Sequence, residues 1–103
     1  MERYFEWDEI KAQTNHRKHG ISFSVAAHVF DDPLHHTTQD RIENGEYRWQ
    51  TIGMVEGHLV LLVAHTTYIE VEDEGDTPCE IVRIISARRA TRQERKSYED
   101  GQI

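Results

Sequence analysis

Hydrophobic and polar positions along this chain change their period several times, and each change predicts an element. Tyr4-Phe5-Glu6-Trp7 alternates weakly and predicts a short first strand. Asp8 then offers an N-cap for a helix running to about Lys18. His19-Gly20 marks its stop, because Gly20 can adopt positive φ. Ser22 opens a second short helix with Phe23, Ala26, Ala27 and Phe30 at near-helical spacing, and Asp31-Asp32-Pro33 ends it. Leu34 to Asp40 reads as a polar edge strand and Arg41 to Gly45 as a loop. Glu46 to Val55 alternates around Tyr47, Trp49 and Thr51 and switches face near Gly53, where a bulge is expected. Glu56-Gly57 is a hairpin turn into His58–Thr67, the most hydrophobic strand and the expected centre of the sheet. Glu70 to Pro78 is an acidic exposed turn, Ile81 to Ala87 a further strand, and Thr91 to about Tyr98 a closing helix. Its start carries the Thr91-x-x-Glu94 capping pattern. The order predicts an α+β layer, with helices packed on a small curved antiparallel sheet.

Size and composition narrow this picture. A chain of 103 residues makes one domain, 1–103. The longest apolar run, Leu59 to Ala64, falls far short of the roughly 18 residues of a membrane span. Glu2, Glu6, Asp8 and Glu9 argue against a secretory signal. Cys79 is the lone cysteine, which excludes an internal disulfide and favours a reducing, cytoplasmic setting. Charge changes the picture most. The net charge is −7, yet Arg83, Arg88, Arg89, Arg92, Arg95 and Lys96 face one acid, Glu94, between Arg83 and Tyr98. Residues 1–79 carry 6 Lys/Arg against 15 Asp/Glu, and residues 80–98 carry 6 against 2. A basic edge on an acidic body suits phosphate, or a partner that covers it, rather than nonspecific nucleic-acid binding.

Each candidate site residue has a plain structural account beside the chemical one. His16, Arg17, Lys18 and His19 can simply offset the dipole at the end of the first helix. Lys18 and His19 can equally clamp phosphate and move protons near neutral pH. Glu46 and Arg48 stand two apart on one strand face, as a solvated ion pair or as a base and a charge stabiliser. Tyr47 and Trp49 take the other face and read as core rather than as a base-stacking platform. His65 shares a face with Leu59, Leu61 and Val63 and reads equally as a core or a catalytic histidine. His35-His36 has no partner at ligand spacing, so no metal site is read, and no cofactor motif is present. Arg83 and Arg88 differ in parity, so they share a face only if the strand ends or bulges near Ala87. Two arginines at a strand end give fixed bidentate donors for phosphate, though Arg88 and Arg89 could merely cap the sheet.

In order, FEWDEIKAQTNHRKHGISF (Phe5–Phe23), VFDDP (Val29–Pro33), GEYRWQTIG (Gly45–Gly53), LLVAHT (Leu61–Thr66) and RIISARRATRQERKSYE (Arg83–Glu99) resemble the BrnT-type toxins of bacterial type II toxin–antitoxin systems. The resemblance implies a RelE-like fold and a metal-independent ribonuclease that arrests translation. It also implies a BrnA-like antitoxin with a ribbon-helix-helix domain, through which operator DNA is bound. The family's site elements fall on Lys18-His19-Gly20, on Glu46 and Arg48, and on Arg83 and Arg88. Two departures remove positive charge. Tyr68 stands where many relatives have arginine, and the turn with Glu70, Glu72, Asp73, Glu74 and Asp76 is longer and more acidic. The expected activity is therefore RNA cleavage, with a catalytically weak or inactive binding module as the alternative.

Overall fold

In the computed structural model the chain runs β1 (Glu2–Glu6), α1 (Glu9–His19), α2 (Phe23–Ala26), a 3₁₀ turn (Ala27–Asp31) and β2 (His36–Glu43). It continues as β3 (Glu46–Val55), β4 (Leu59–Glu70), β5 (Cys79–Arg89) and α3 (Arg92–Asp100). The structure describes residues 1–101; Gln102 and Ile103, included in the expected domain, lie outside the described residues. The five strands form one sheet in the order β1-β5-β4-β3-β2, with hydrophobic β4 at its centre.

The sheet is mixed rather than wholly antiparallel. β1 pairs with β5 in parallel, from Glu2 opposite Cys79 to Glu6 opposite Arg83, and the other neighbours are antiparallel. A strand followed at once by a helix has no hairpin to fix its direction, so its neighbour comes from far along the chain. The expected loop Arg41–Gly45 is mostly strand. Asn44 and Gly45 take φ of 52° and 80°, a two-residue turn that lets the ladder run to Glu43 and Glu46. The second helix is one α turn followed by a 3₁₀ turn. The β3–β4 register is unbroken at Gly53, so the expected bulge is absent there. Gly53 is needed for another reason: a Cβ on it would meet the Val29 carbonyl oxygen at 2.7 Å. The 3₁₀ turn thus lies directly on the β3 backbone.

Helices cover both faces of the sheet, the N-terminal ones on one side and the C-terminal one on the other. On one face Ile21, Phe23, Ala26 and Val29 pack onto Val55, Leu61, Val63, Val82 and Ile84. On the other, Tyr98 of α3 packs with Ile52 and Val60, beside Met54, Leu62 and Ala90. The α3 helix covers only part of that face. Asp32 joins the layers: its carboxylate accepts from Leu34 N at 2.9 Å, from Met54 N at 2.8 Å and from the Tyr98 hydroxyl. Burial raises Tyr98 to about 12, helped by that bond to Asp32. The α1 helix starts as expected, with Asp8 accepting from Lys11 N at 3.0 Å, and stops at Gly20 with φ of 72°. Thr91 and Glu94 form the expected capping box of α3.

Candidate functional site

Arg83 and Arg88 differ in parity along the sequence, yet both stand on the α3 side of the sheet. β4 pairs Thr66 with Arg83 and Leu62 with Arg88. Between these pairs the register shifts: Ala64 meets Ser86, while His65 meets Ile84. Ile85 is the extra residue, a β-bulge that resets the side-chain alternation. The break needed near Ala87 therefore exists, two residues earlier. Arg48 joins the same face, four residues before Ile52, and pairs across strands with Arg41. Arg41 pairs with Arg48 toward one edge of the sheet, and Thr66, Arg83 and Glu6 form a rung toward the other. The β3–β4 register, Trp49 opposite His65, extended by one residue, brings Arg48 level with Thr66. Strand spacing puts the Arg48 and Arg83 backbones about 10 Å apart, and strand rise puts Arg88 about 13 Å from Arg83.

Carboxylates hold these cations in place. Arg88 grips Glu94 with two parallel hydrogen bonds of 2.8 and 3.0 Å. Those bonds bring Glu94 down to about 2 and raise Arg88 above its ordinary value. Arg83 donates to Glu6 at 3.3 Å, and the Tyr68 hydroxyl donates to the same carboxylate at 2.7 Å, which raises the Tyr68 phenol. Glu43 lies 3.2 Å from Arg41 and 3.9 Å from Arg48. Arg48 Nε is buried without a hydrogen-bond partner among the described residues. Glu46 does not form the expected pair with Arg48; Glu43 takes that place, and Glu46 stands exposed opposite Glu43. The exposed Arg83–Glu6 and Arg41–Glu43 pairs are of the kind that contributes under about 1 kcal/mol, so an incoming phosphate can exchange with those carboxylates at small cost, whereas the two-bond Arg88–Glu94 pair is held more firmly.

Lys18 and His19 belong to the helical layer, and no hydrogen bond or ion pair among the described residues joins them to the arginines. Asn15 nevertheless brings their helix end to β5. Its side chain donates to the Ala87 carbonyl at 2.9 Å and accepts from Ala87 N at 3.1 Å. The amide thus acts as a strand neighbour where β1 has already ended. It also donates to the Ile21 carbonyl at 3.1 Å. His19 is one helical turn beyond Asn15 on the same helix face, and Ala87 directly precedes Arg88. Lys18 is exposed and His19 half-buried.

His65 stands on the opposite face and settles as a core residue. It is 2% exposed, with Nε2 2.8 Å from Thr51 Oγ1 and Nδ1 3.2 Å from Thr67 Oγ1. Burial lowers it to about 4, so it is neutral at pH 7. Trp49 is half-buried as expected of a core position, but Tyr47 is 55% exposed. Glu6, Glu43 and Asn15 carried no signal in the sequence, because cross-strand register and helix docking decide their roles. Glu94 was legible as a cap, but not as the partner of Arg88. Among the described residues no three His, Cys, Asp or Glu side chains form a metal-ligand cluster, and no helix is long and apolar enough to cross a membrane.

The fold and this face define a small α+β protein built on one mixed sheet, with arginines on the side that α3 leaves partly open. Residues 7–94 match the family described as ribonuclease toxin, BrnT, of type II toxin-antitoxin system. The chain belongs to this BrnT family, and a type II toxin implies an antitoxin partner. The structure is similar to the crystal structure of the Brucella abortus ribonuclease toxin, BrnT, with a TM-score of 0.54 and 23% identity. That match covers 89% of this chain and 100% of the other, and at this identity it shows the fold alone. No curated protein sequence matches the chain.

Proposed function

We propose that this chain is a metal-independent endoribonuclease of the RelE-like kind. In this reading it arrests translation in the cytoplasm until a BrnA-like ribbon-helix-helix antitoxin neutralises it. The observation that carries the reading is the Ile85 bulge, which turns Arg83 and Arg88 to the face that also bears Arg48. A 2′-hydroxyl of the RNA attacks the adjoining phosphorus, and the 5′-oxygen of the next nucleotide leaves. A base takes the hydroxyl proton, an acid returns one to the leaving oxygen, and a 2′,3′-cyclic phosphate remains. Arg83, Arg88 and Arg48 supply positive charge to the crowded phosphate, and Lys18, on the helix end that Asn15 ties to Ala87, is a further candidate cation. His19 and Glu46 are the candidates for proton transfer. Digestion of RNA by the purified chain in EDTA, with analysis of product ends, tests this. Cleavage persists and leaves cyclic or 3′-phosphate ends; activity abolished by EDTA and restored by Mg²⁺ overturns the mechanism.

The carboxylate partners favour a second reading. Glu6, Glu43 and Glu94 already occupy the guanidinium groups, as they would in a catalytically weak module retained for its antitoxin and for promoter regulation. Both readings place operator binding in the complex, because a net charge of −7 disfavours phosphate neutralisation by the toxin itself. Mobility shifts with promoter DNA separate the isolated chain from the complex, and tight binding by the chain alone refutes this expectation.

A further inference from the structure

Beside Arg88 lies a cavity of about 410 Å³ between α3 and strands β2, β3 and β4. Its floor is apolar, formed by Ile52 and Leu62. Its walls carry His36, Thr38, Gln50, Gln93 and Ser97, none of which has a side-chain hydrogen-bond partner among the described residues. Thr91 and Glu94 also line it, but the capping box and Arg88 engage them. Five unengaged polar side chains around an apolar floor match a flat ligand with apolar faces and a polar edge. Each glutamine amide offers both donors and an acceptor to such an edge. The cavity also borders a cation: Leu62 pairs across strands with Arg88, and Glu94 on the wall holds the guanidinium.

We infer that this cavity receives a nucleobase of single-stranded RNA while Arg88 takes an adjoining phosphate, so that Gln50 and Gln93 select the base that flanks the cut. This rests on the ribonuclease reading above and adds to it a determinant of sequence preference. Unpaired bases are recognised in this way, through stacking on one surface and hydrogen bonds at the edge. Gln93 is exposed on α3, so Gln93→Ala preserves the helix; Gln50→Ala is checked by its melting curve.

The test has two arms. Uncleavable 2′-O-methyl trinucleotides of each base are titrated into the full chain, and cleavage sites are mapped on an unmodified RNA pool. The wild type favours one base by about tenfold or more, and each glutamine variant reduces that preference about fivefold or more. Equal binding of all four bases by the wild type, or an unchanged preference in both folded variants, overturns the inference. RNA cleavage with an unmoved preference overturns it and leaves the ribonuclease reading standing. Base-selective binding that the variants lose, without cleavage, supports the base pocket, sinks the ribonuclease reading and overturns the pocket's role in selecting a cut. Variants that lose antitoxin binding while keeping the base preference give the cavity to the protein partner and overturn the inference.

Discussion

The two faces of the sheet treat polar groups in opposite ways. Under α1 and α2, every buried polar side chain that matters is engaged: Asn15 holds Ala87 and Ile21, and His65 lies between Thr51 and Thr67. On the α3 face, Arg48 Nε has no hydrogen-bond partner among the described residues, and the exposed Arg83–Glu6 pair is of the kind that contributes little. Buried polar groups without partners are destabilising, so the first face is built for a single stable arrangement. The second keeps hydrogen-bonding capacity in reserve. The proposed chemistry falls on the side where folding leaves polar groups unsettled.

Four experiments break or sharpen that contrast. The largest effect is expected from Arg83→Ala or Arg88→Ala, each lowering the cleavage rate by on the order of 10²-fold or more while the chain stays folded. Growth assays and single-turnover digestion read this, and full toxicity in a soluble double variant removes the arginines from the chemistry. On the helical face, Asn15→Leu strands both main-chain groups of Ala87. Unfolding in urea is expected to show a loss of about 3 kcal/mol, with cleavage by the surviving folded fraction retained. A loss below about 0.5 kcal/mol denies the amide its role as strand neighbour.

The third experiment is a pH series. Folded His65 titrates near 4 against an ordinary 6.5, so the unfolded chain takes up the proton first as pH falls. Its contribution is complete above about pH 6.5 and declines down to about pH 4, by on the order of 3 kcal/mol. Glu94, held near 2 against an ordinary 4.5, adds its loss mostly below that window. A His65→Gln variant that keeps the same slope between pH 6.5 and 4 contradicts the assignment. The smallest effect belongs to Tyr68→Phe, which removes an exposed bond to Glu6. Urea unfolding is expected to show no resolvable change in stability. A large gain in RNA affinity would instead mark Tyr68 as a restraint on Arg83.

Much of this was legible in the chain. Caps at Asp8 and Thr91, the stop at Gly20, the span Glu46–Val55 and central β4 all follow from local chemistry or period. The shared face of Arg83 and Arg88 was legible only as a condition on strand regularity. Alternation says nothing about strand direction, so the parallel pairing of β1 stayed hidden. It also gives no register, which is why Glu46 was set beside Arg48 when Glu43 takes that position. The Asn44-Gly45 turn was present in the letters; reading a longer loop there cut β2 short by three residues.

The parallel pairing of β1 has a consequence in time. Among the described residues its one sheet neighbour is β5, and the Glu6–Arg83 contact spans 77 residues of chain. A ribosome adding roughly 5–20 residues per second needs roughly 4–15 s to cross that interval. Throughout it the nascent first strand has nowhere to dock, and the rung ending in Glu6 does not exist. Assembly of the arginine face is therefore a late event of synthesis, coupled to the emergence of the penultimate element rather than to the folding of the helices made first.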